Sequence, residues 1–393
     1  MLNIILTLAA TLVCLPSVTL ALEILGASAL KNPAKLAFRT GRSTRPGPIA
    51  VLVPAHNEEA GILTTLQDIT AQLRPGDRLL VVADNCTDNT AAVARAAGAE
   101  VCERHDPARR GKGYALDWGL RHLRQDPPEA VVIIDADCRV ASGSILTLAV
   151  TALAAGRPTQ AFYAMTAASR ASERRVQEFA WVLKNHVRPL GLAKLGLPCQ
   201  LMGTGMAFPW QALTAVDLAS GHLVEDVKLG LDLAARGWAP LFCPSAYIES
   251  TFPTSENGIL TQRQRWEVGS TRTLLHEGPR ALWQGLKHRN LPLLVLALDI
   301  LVPPLSLLGG AIGLVWLACA AAALAGHGLT PLMLATGAGL LAASSLVLAW
   351  ARFGRQIMTA RDGGELLGYL RQKIEIHLRR PGQRPQWIRT DRS

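Results

Sequence analysis

Three stretches without a single charge decide what this chain can fold into. Leu2–Leu22, Ile300–Gly326 and Leu329–Trp350 run for 21, 27 and 22 residues with no Asp, Glu, Lys or Arg. A helix of about 20 apolar residues crosses a hydrocarbon core about 30 Å thick, so each run is long enough to span a bilayer. The composition agrees. Of 393 residues, 49% are hydrophobic, 18% charged and only 5% aromatic, so the excess is Leu, Ala and Val, the residues of lipid-facing helices. A disordered chain, a collagen-like fibre and a small disulfide scaffold are excluded, since each needs fewer apolar residues or far more Gly or Cys.

Charge orients the runs. A signal peptide carries a basic region ahead of a short apolar stretch, whereas Lys31, Lys35, Arg39, Arg42 and Arg45 all follow Leu2–Leu22. That order predicts an uncleaved anchor whose N-terminus lies outside and whose following domain is cytoplasmic. From Leu291 to Gly326 one helix would be about 54 Å long, too long for a single crossing. The tail from Arg352 to Ser393 holds ten Lys or Arg against four acids, which marks it cytoplasmic and leaves an even number of crossings in the C-terminal part. The expected organisation is an anchor at 1–30, a linker at 31–48, a soluble domain at 49–280, an interfacial helix at 281–304 kinked at Pro303-Pro304, a transmembrane hairpin at 305–350 and a basic tail at 351–393. In the tail Leu366, Leu367, Leu370, Ile374 and Leu378 recur at helical spacing, which predicts an amphipathic helix on anionic lipid. The expected location is the cell inner membrane, multi-pass. The formal net charge of +10 is thus mainly a record of topology, and no nucleic-acid partner is expected.

The soluble segment alternates apolar strands with helices. Ile49–Val53, Arg78–Asp84, Glu100–Glu103 and Val131–Ile134 read as strands, and 59–73 and 114–123 as helices. Strands unbroken by polar residues predict an α/β fold with a mostly parallel sheet covered on both faces, and ligands of such sheets bind beyond the carboxyl ends of the strands. Seven scattered cysteines with no C-x-x-C pair indicate buried thiols rather than a zinc ribbon or a disulfide framework. No G-x-G-x-x-G follows the first strand, Gly111-Lys112-Gly113 lacks the remainder of a P-loop, and the nine histidines include no H-x-x-x-H.

The strand ends carry the chemistry. Pro54-Ala55-His56-Asn57-Glu58-Glu59 follows the first strand and Asp84-Asn85-Cys86 the second; these side chains could accept from ribose hydroxyls or a base edge, or simply cap helices. Asp135-Ala136-Asp137 leaves a buried strand with two carboxylates whose repulsion a hard divalent cation would offset, and Mg²⁺ or Mn²⁺ normally bridges such a group to phosphates. An isolated D-x-D is common, so context must decide.

Downstream stand Gly203-Thr204-Gly205-Met206-Ala207-Phe208, then Glu225-Asp226, then Gln262-Arg263-Gln264-Arg265-Trp266. Together with the P-A-H-N-E-E stretch, Asp84 and the D-x-D, this ordered set from Val51 to Trp266 resembles the membrane-embedded family 2 glycosyltransferases, the group of cellulose, chitin and hyaluronan synthases and bacterial exopolysaccharide transferases. The resemblance implies a GT-A-type, Rossmann-like domain flanked by transmembrane and interfacial helices. It implies that Pro54, Asn57, Glu58 and Asp84 hold the nucleoside of a UDP-sugar, with Lys112 near them or the phosphates, Asp135 on ribose or sugar, and Asp137 on the metal. The Gly203, Thr204 and Gly205 stretch would line the substrate. Asp226 would be the general base, with Glu225 beside it; Gln262, Arg265 and Trp266 would lie on a helix at the membrane interface, Gln262 binding substrate, Trp266 stacking an acceptor sugar and Arg265 pairing with the departing diphosphate. His56 stands where the family often has Tyr.

The implied reaction is metal-dependent single displacement with inversion, giving a β-linkage. Three alternatives remain: a processive synthase on a growing polysaccharide, working with export partner proteins; a single-addition transferase on a lipid-linked acceptor; and a non-catalytic, membrane-tethered nucleotide-sugar binder. Membrane lipids are partners in all three.

Overall fold

The computed structural model describes residues 1–29, 47–166, 172–219, 221–222, 224–252, 269, 271–359 and 361–362. The chain divides into two compact units, one drawn from Asn32–Ala168, Leu197–Gly269 and Pro385–Ser393, the other from Met1–Lys31, Ser169–Gly196 and Ser270–Arg384.

The first unit is built on eight strands: β1 Ile49–Ala55, β2 Arg78–Asp84, β3 Glu100–Arg104, β4 Ala130–Ile133, β5 Arg139–Val140, β6 Thr159–Thr166, β7 Met206–Pro209 and β8 Leu241–Thr251. They form one sheet in the order β3-β2-β1-β4-β7-β6-β8-β5. β1 pairs in parallel with β2 and with β4, bringing Leu52 beside both Leu80 and Ile133. β7 runs antiparallel to β4 and β6, and β5 antiparallel to β8. The parallel half was expected from its unbroken apolar strands. The antiparallel insertion of β7 was not, because Met206–Pro209 is short and lies far along the chain from the strand it joins.

Helices Ile62–Thr70, Thr90–Ala96 and Lys112–Leu123 make the crossovers. Leu116, Leu120 and Leu123 bury one stripe of the last against Leu52, Leu80, Val82, Ile133 and Phe208, a helical spacing meeting a β spacing across one core. The strand order reverses at β1, with β2 on one side and β4 on the other, and that reversal opens a crevice beyond the carboxyl ends of these strands.

The second unit is helical. Leu2–Ala29, Leu305–Leu324 and the helix running from Thr330 to Gly354 are long and apolar enough to cross a membrane. The first does not stop at Leu22. It continues through Glu23, whose side chain is 2% exposed and accepts from Arg188 Nε at 2.5 Å. Arg188 also bonds the Asp299 carboxylate, and its Nη2 reaches the Asp299 carbonyl at 2.9 Å. A charge inside an apolar helix is tolerated when paired in this way.

The sequence reading ran the soluble domain unbroken from 49 to 280; in the structure Ser169–Gly196 clusters with the apolar helices. The single kinked helix expected at 281–304 is instead two helices, Gly278–Lys287 and Leu291–Ile300. The break is at Arg289, in left-handed backbone at φ 51°, and at Asn290, whose side chain caps the second helix by accepting from Leu293 N at 3.0 Å. Pro303 and Pro304 act one step later, separating Leu291–Ile300 from Leu305–Leu324. The amphipathic segment expected at 366–378 lies outside the described residues.

Candidate active site

The tips of β1 and β2 are tied together. Asn57 and Asn85 both adopt left-handed backbone, φ 55° and 51°, which asparagine accepts more readily than most side chains. Asn57 Oδ1 accepts from Thr87 N at 2.7 Å, Glu58 N donates to Thr90 Oγ1 at 2.8 Å, and Glu59 exchanges bonds with Asp88 and Asn89. Asn57 is therefore partly spent on holding the loop, and its amide nitrogen is the group it can offer a ligand. His56 donates from Nδ1 to the Asp84 carbonyl at 2.6 Å. Pro54 lies inside β1, opposite Val82.

Asp84 closes β2 and is buried. Arg104, at the end of β3, donates to its Oδ1 at 2.6 Å, and Asn85 Nδ2 donates to the same oxygen at 2.9 Å. Burial pushes the Asp84 carboxyl above its ordinary value in spite of Arg104. Arg104 also reaches Asp106 at 3.3 Å and lies 5.5 Å over the Tyr114 ring. Nothing in the sequence reading singled out Arg104 or Tyr114; the available signal was a cation at the end of the third strand, on the same edge as Asp84.

The second cluster forms where β4 ends. Asp135 N donates to Thr204 Oγ1 at 2.9 Å, and the Cys138 thiol lies 3.7 Å from Asp137 Oδ1 and 3.5 Å from Thr204 Oγ1. Burial pushes that thiol up to about 12, so it stays protonated and serves as a donor. Lys112, at the start of its helix, donates to Asp135 Oδ1 and, at 2.7 Å, to the Gly203 carbonyl. Desolvation would lower the Lys112 ammonium, but the charges of Asp135, Glu225 and Asp226 outweigh it and raise its pKa.

Gly203 and Gly205 both have positive φ, 87° and 66°. A Cβ on Gly203 would sit 3.5 Å from Asp226 Oδ2 and 3.7 Å from Lys112 Nζ, which measures how closely this loop passes the acidic pair. Glu225 and Asp226 open the helix Glu225–Ala235, where the helix dipole favours anions. Burial and then the neighbouring Asp226 push Glu225 up to about 7, against the pull of Lys112.

Asp135, Glu225, Asp226, Lys112 and the Gly203–Gly205 loop are thus one cluster, and Asp137 follows Asp135 on the same turn. Asp84, Asn57 and Glu58 form a neighbouring group at the tips of β1 and β2. Gln262, Arg265 and Trp266 lie outside the described residues.

A profile of the family described as Glycosyltransferase like family 2 matches residues 46–269, more than half of the chain. The chain belongs to this family. A curated relative, the probable glycosyltransferase YdaM of Bacillus subtilis (strain 168), is 26% identical over 250 residues, which cover 58% of this chain and 56% of the relative. The chain thus matches about half the length of that protein. Among solved structures, the mannosyltransferase PcManGT from Pyrobaculum calidifontis, in complex with GDP-Man and Mn²⁺, shares the fold at 21% identity and a TM-score of 0.51, covering 86% of this chain and 98% of its own. Glucosyl-3-phosphoglycerate synthase from Mycobacterium tuberculosis, in complex with Mn²⁺, UDP and glucosyl-3-phosphoglycerate, is 26% identical with a TM-score of 0.40 over 60% of this chain and 81% of its own. This chain of the glycosyltransferase-like family 2 has a GT-A-like sheet domain and, among its described residues, three apolar helices long enough to cross a membrane.

Proposed function

We propose that this glycosyltransferase moves a sugar from a nucleoside diphosphate, a UDP-sugar, to a saccharide hydroxyl at the cytoplasmic face of the inner membrane, by single displacement with inversion. The observation that carries the reading is the convergence of Lys112, Asp135 and the Gly203 carbonyl beside Glu225 and Asp226 at one sheet edge.

The donor nucleoside lies against Asp84, Pro54, Asn57 and Glu58, and Asp135 meets the ribose or sugar. Among the described residues no three His, Cys, Asp or Glu side chains gather to chelate an ion. Asp137, one residue past the Asp135 carboxylate's neighbour Ala136, offers a single hard oxygen donor and would hold Mg²⁺ or Mn²⁺ together with phosphate and water oxygens. When bound, that ion supplies charge neutralisation for the leaving diphosphate.

Asp226 accepts the acceptor hydroxyl's proton, since its place at a helix N-terminus favours the ionised carboxylate. Glu225, pushed up to about 7 by burial and the neighbouring Asp226, stays partly protonated near neutrality. Lys112 balances the carboxylates without supplying a proton. Arg265 meets the developing negative charge on the diphosphate, and Gln262 and Trp266 hold the acceptor, Trp266 through its ring face.

The acceptor is a growing polysaccharide or oligosaccharide. A second reading, single addition to a lipid-linked acceptor, is favoured by the small number of spanning helices: three among the described residues make a narrow bundle for passing a polymer. The test is to incubate the full chain in membranes with a panel of nucleotide sugars and measure nucleoside diphosphate release and product length. Release that Asp226→Asn removes supports transfer, product length separates the two acceptors, and absence of release with every donor overturns the reading.

A further inference from the structure

Gln160 lies on β6, fully buried, among residues otherwise chosen for a sheet core. All of its amide atoms are engaged. Its Nε2 donates to the Thr204 carbonyl at 2.9 Å and the Ala161 carbonyl at 3.0 Å, with the Gly205 carbonyl at 3.5 Å. Its Oε1 accepts from Met202 N at 2.8 Å. The side chain thus grips the loop on both sides of Gly203.

The other bonds to that loop act at Gly205 and at the Gly203 and Thr204 groups facing the cluster. Gly203 and Gly205 occupy left-handed backbone, which glycine enters without steric cost and leaves as easily. Gly205 is pinned by its own N to the Ile133 carbonyl at 3.0 Å and by its carbonyl to Ala161 N at 2.7 Å. Upstream of Gly205, Gln160 supplies the bonds to Met202 N and the Thr204 carbonyl. Between those two points the Gly203 carbonyl takes the Lys112 ammonium, and the Thr204 hydroxyl takes Asp135 N.

We infer that Gln160 is a positioning residue for glycosyl transfer: it fixes the Met202–Gly205 loop so that the Gly203 carbonyl holds Lys112 against Asp135, beside Glu225 and Asp226. Gln160 touches no substrate. It acts through the direction of one carbonyl, and a buried amide suits this because it donates and accepts at once without bringing a charge. The inference rests on the transfer reading above.

The test uses the full chain in membranes with whichever nucleotide sugar sustains turnover. Gln160→Met keeps the volume and removes every bond. Gln160→Glu, while its buried carboxyl is protonated, keeps one donor for the Thr204 carbonyl and an acceptor for Met202 N, gives up the second donor, and loses the remaining one when it ionises. Gln160→Met is expected to lower kcat by about tenfold or more with the donor KM changed less than about threefold, as for a misplaced rather than missing group. Gln160→Glu is expected to work at acidic pH and to fail as pH rises, a limb absent from the unmodified chain. Amide exchange at Met202 is expected to accelerate in Gln160→Met and to stay slow in Gln160→Glu at acidic pH.

Turnover within about twofold of the unmodified chain in Gln160→Met overturns the inference. So does a Gln160→Glu pH profile parallel to that of the unmodified chain, which decides the matter if the Met variant does not fold. Failure of the transfer reading is distinct, appearing as no turnover in the unmodified chain.

Discussion

Arg104 at the end of β3 donates to Asp84 at the end of β2 across 2.6 Å, and both side chains are buried. Removing one member leaves the other as a buried charge, which costs more than the pair contributes. Asp84→Ala is expected to destabilise the sheet domain by about 3 kcal/mol, tempered by the remaining Asp106 contact. The double variant with Arg104→Met should recover part of the loss. Thermal melting of the full chain in detergent checks both, and additive losses would show that the pair is not coupled.

Asp226→Asn keeps the shape of the acidic pair and removes the proposed proton acceptor. Sugar transfer should fall by about 10²–10⁴-fold, the usual contribution of a general base. Donor binding, followed by calorimetry with UDP and Mn²⁺, should be little changed. A variant that turns over at the original rate would remove Asp226 from its proposed role.

Metal removal gives a separate reading. The proposed role of Asp137 as the metal ligand predicts that excess EDTA abolishes transfer and that Mn²⁺ or Mg²⁺ restores it. Asp137→Asn should shift the metal concentration needed for half activity upward by about tenfold or more. Full activity in EDTA would exclude the assignment.

Glu225 makes stability depend on pH. Its folded pKa is about 7 against an ordinary 4.5, so between those values the folded chain keeps a proton that the unfolded chain has released. Stability from this group is therefore full below 4.5 and declines as pH rises through 7. Glu225→Gln removes the decline. The melting temperature of the variant relative to the unmodified chain should climb across that window, and parallel curves would show that Glu225 is not the group responsible.

The helix Arg188–Lys194 meets the Leu2–Ala29 helix at glycine. A Cβ on Gly191 would lie 1.8 Å from the Glu23 carbonyl oxygen, backbone that cannot yield without moving a helix. Gly191→Ala should part the two helices and strain the Glu23–Arg188 bond, costing about 3 kcal/mol or more. Protease resistance of the full chain in membranes would report it, while Gly309→Ala, where a Cβ meets nothing within 4 Å, is the control and should be silent.

Much of this protein is determined by short-range pattern. The absence of charge over Leu2–Leu22, Ile300–Gly326 and Leu329–Trp350 marks the apolar helices, because lipid solvates no lone charge. Unbroken apolar strands mark the parallel half of the sheet, and the polar residues that follow Ala55, Ala83 and Ile134 mark the edge of the candidate site, because a strand buried on both faces can place polar side chains only at its ends. Lys112, Asp135, Glu225 and Asp226 were each legible as candidates, and the fold brings them together.

What tertiary structure alone decided are partnerships between residues distant along the chain. Asp84 finds Arg104, Gln160 grips the loop at Met202 and Thr204, and Glu23 finds Arg188 across 165 positions. A lone charge or amide in an apolar segment reads locally as a cost, and sequence periodicity assigns it no partner. Folding supplies one, turning Glu23 from the end of an apolar run into a residue inside a longer helix, and Gln160 from an exception in a strand into the support of the loop that holds Lys112.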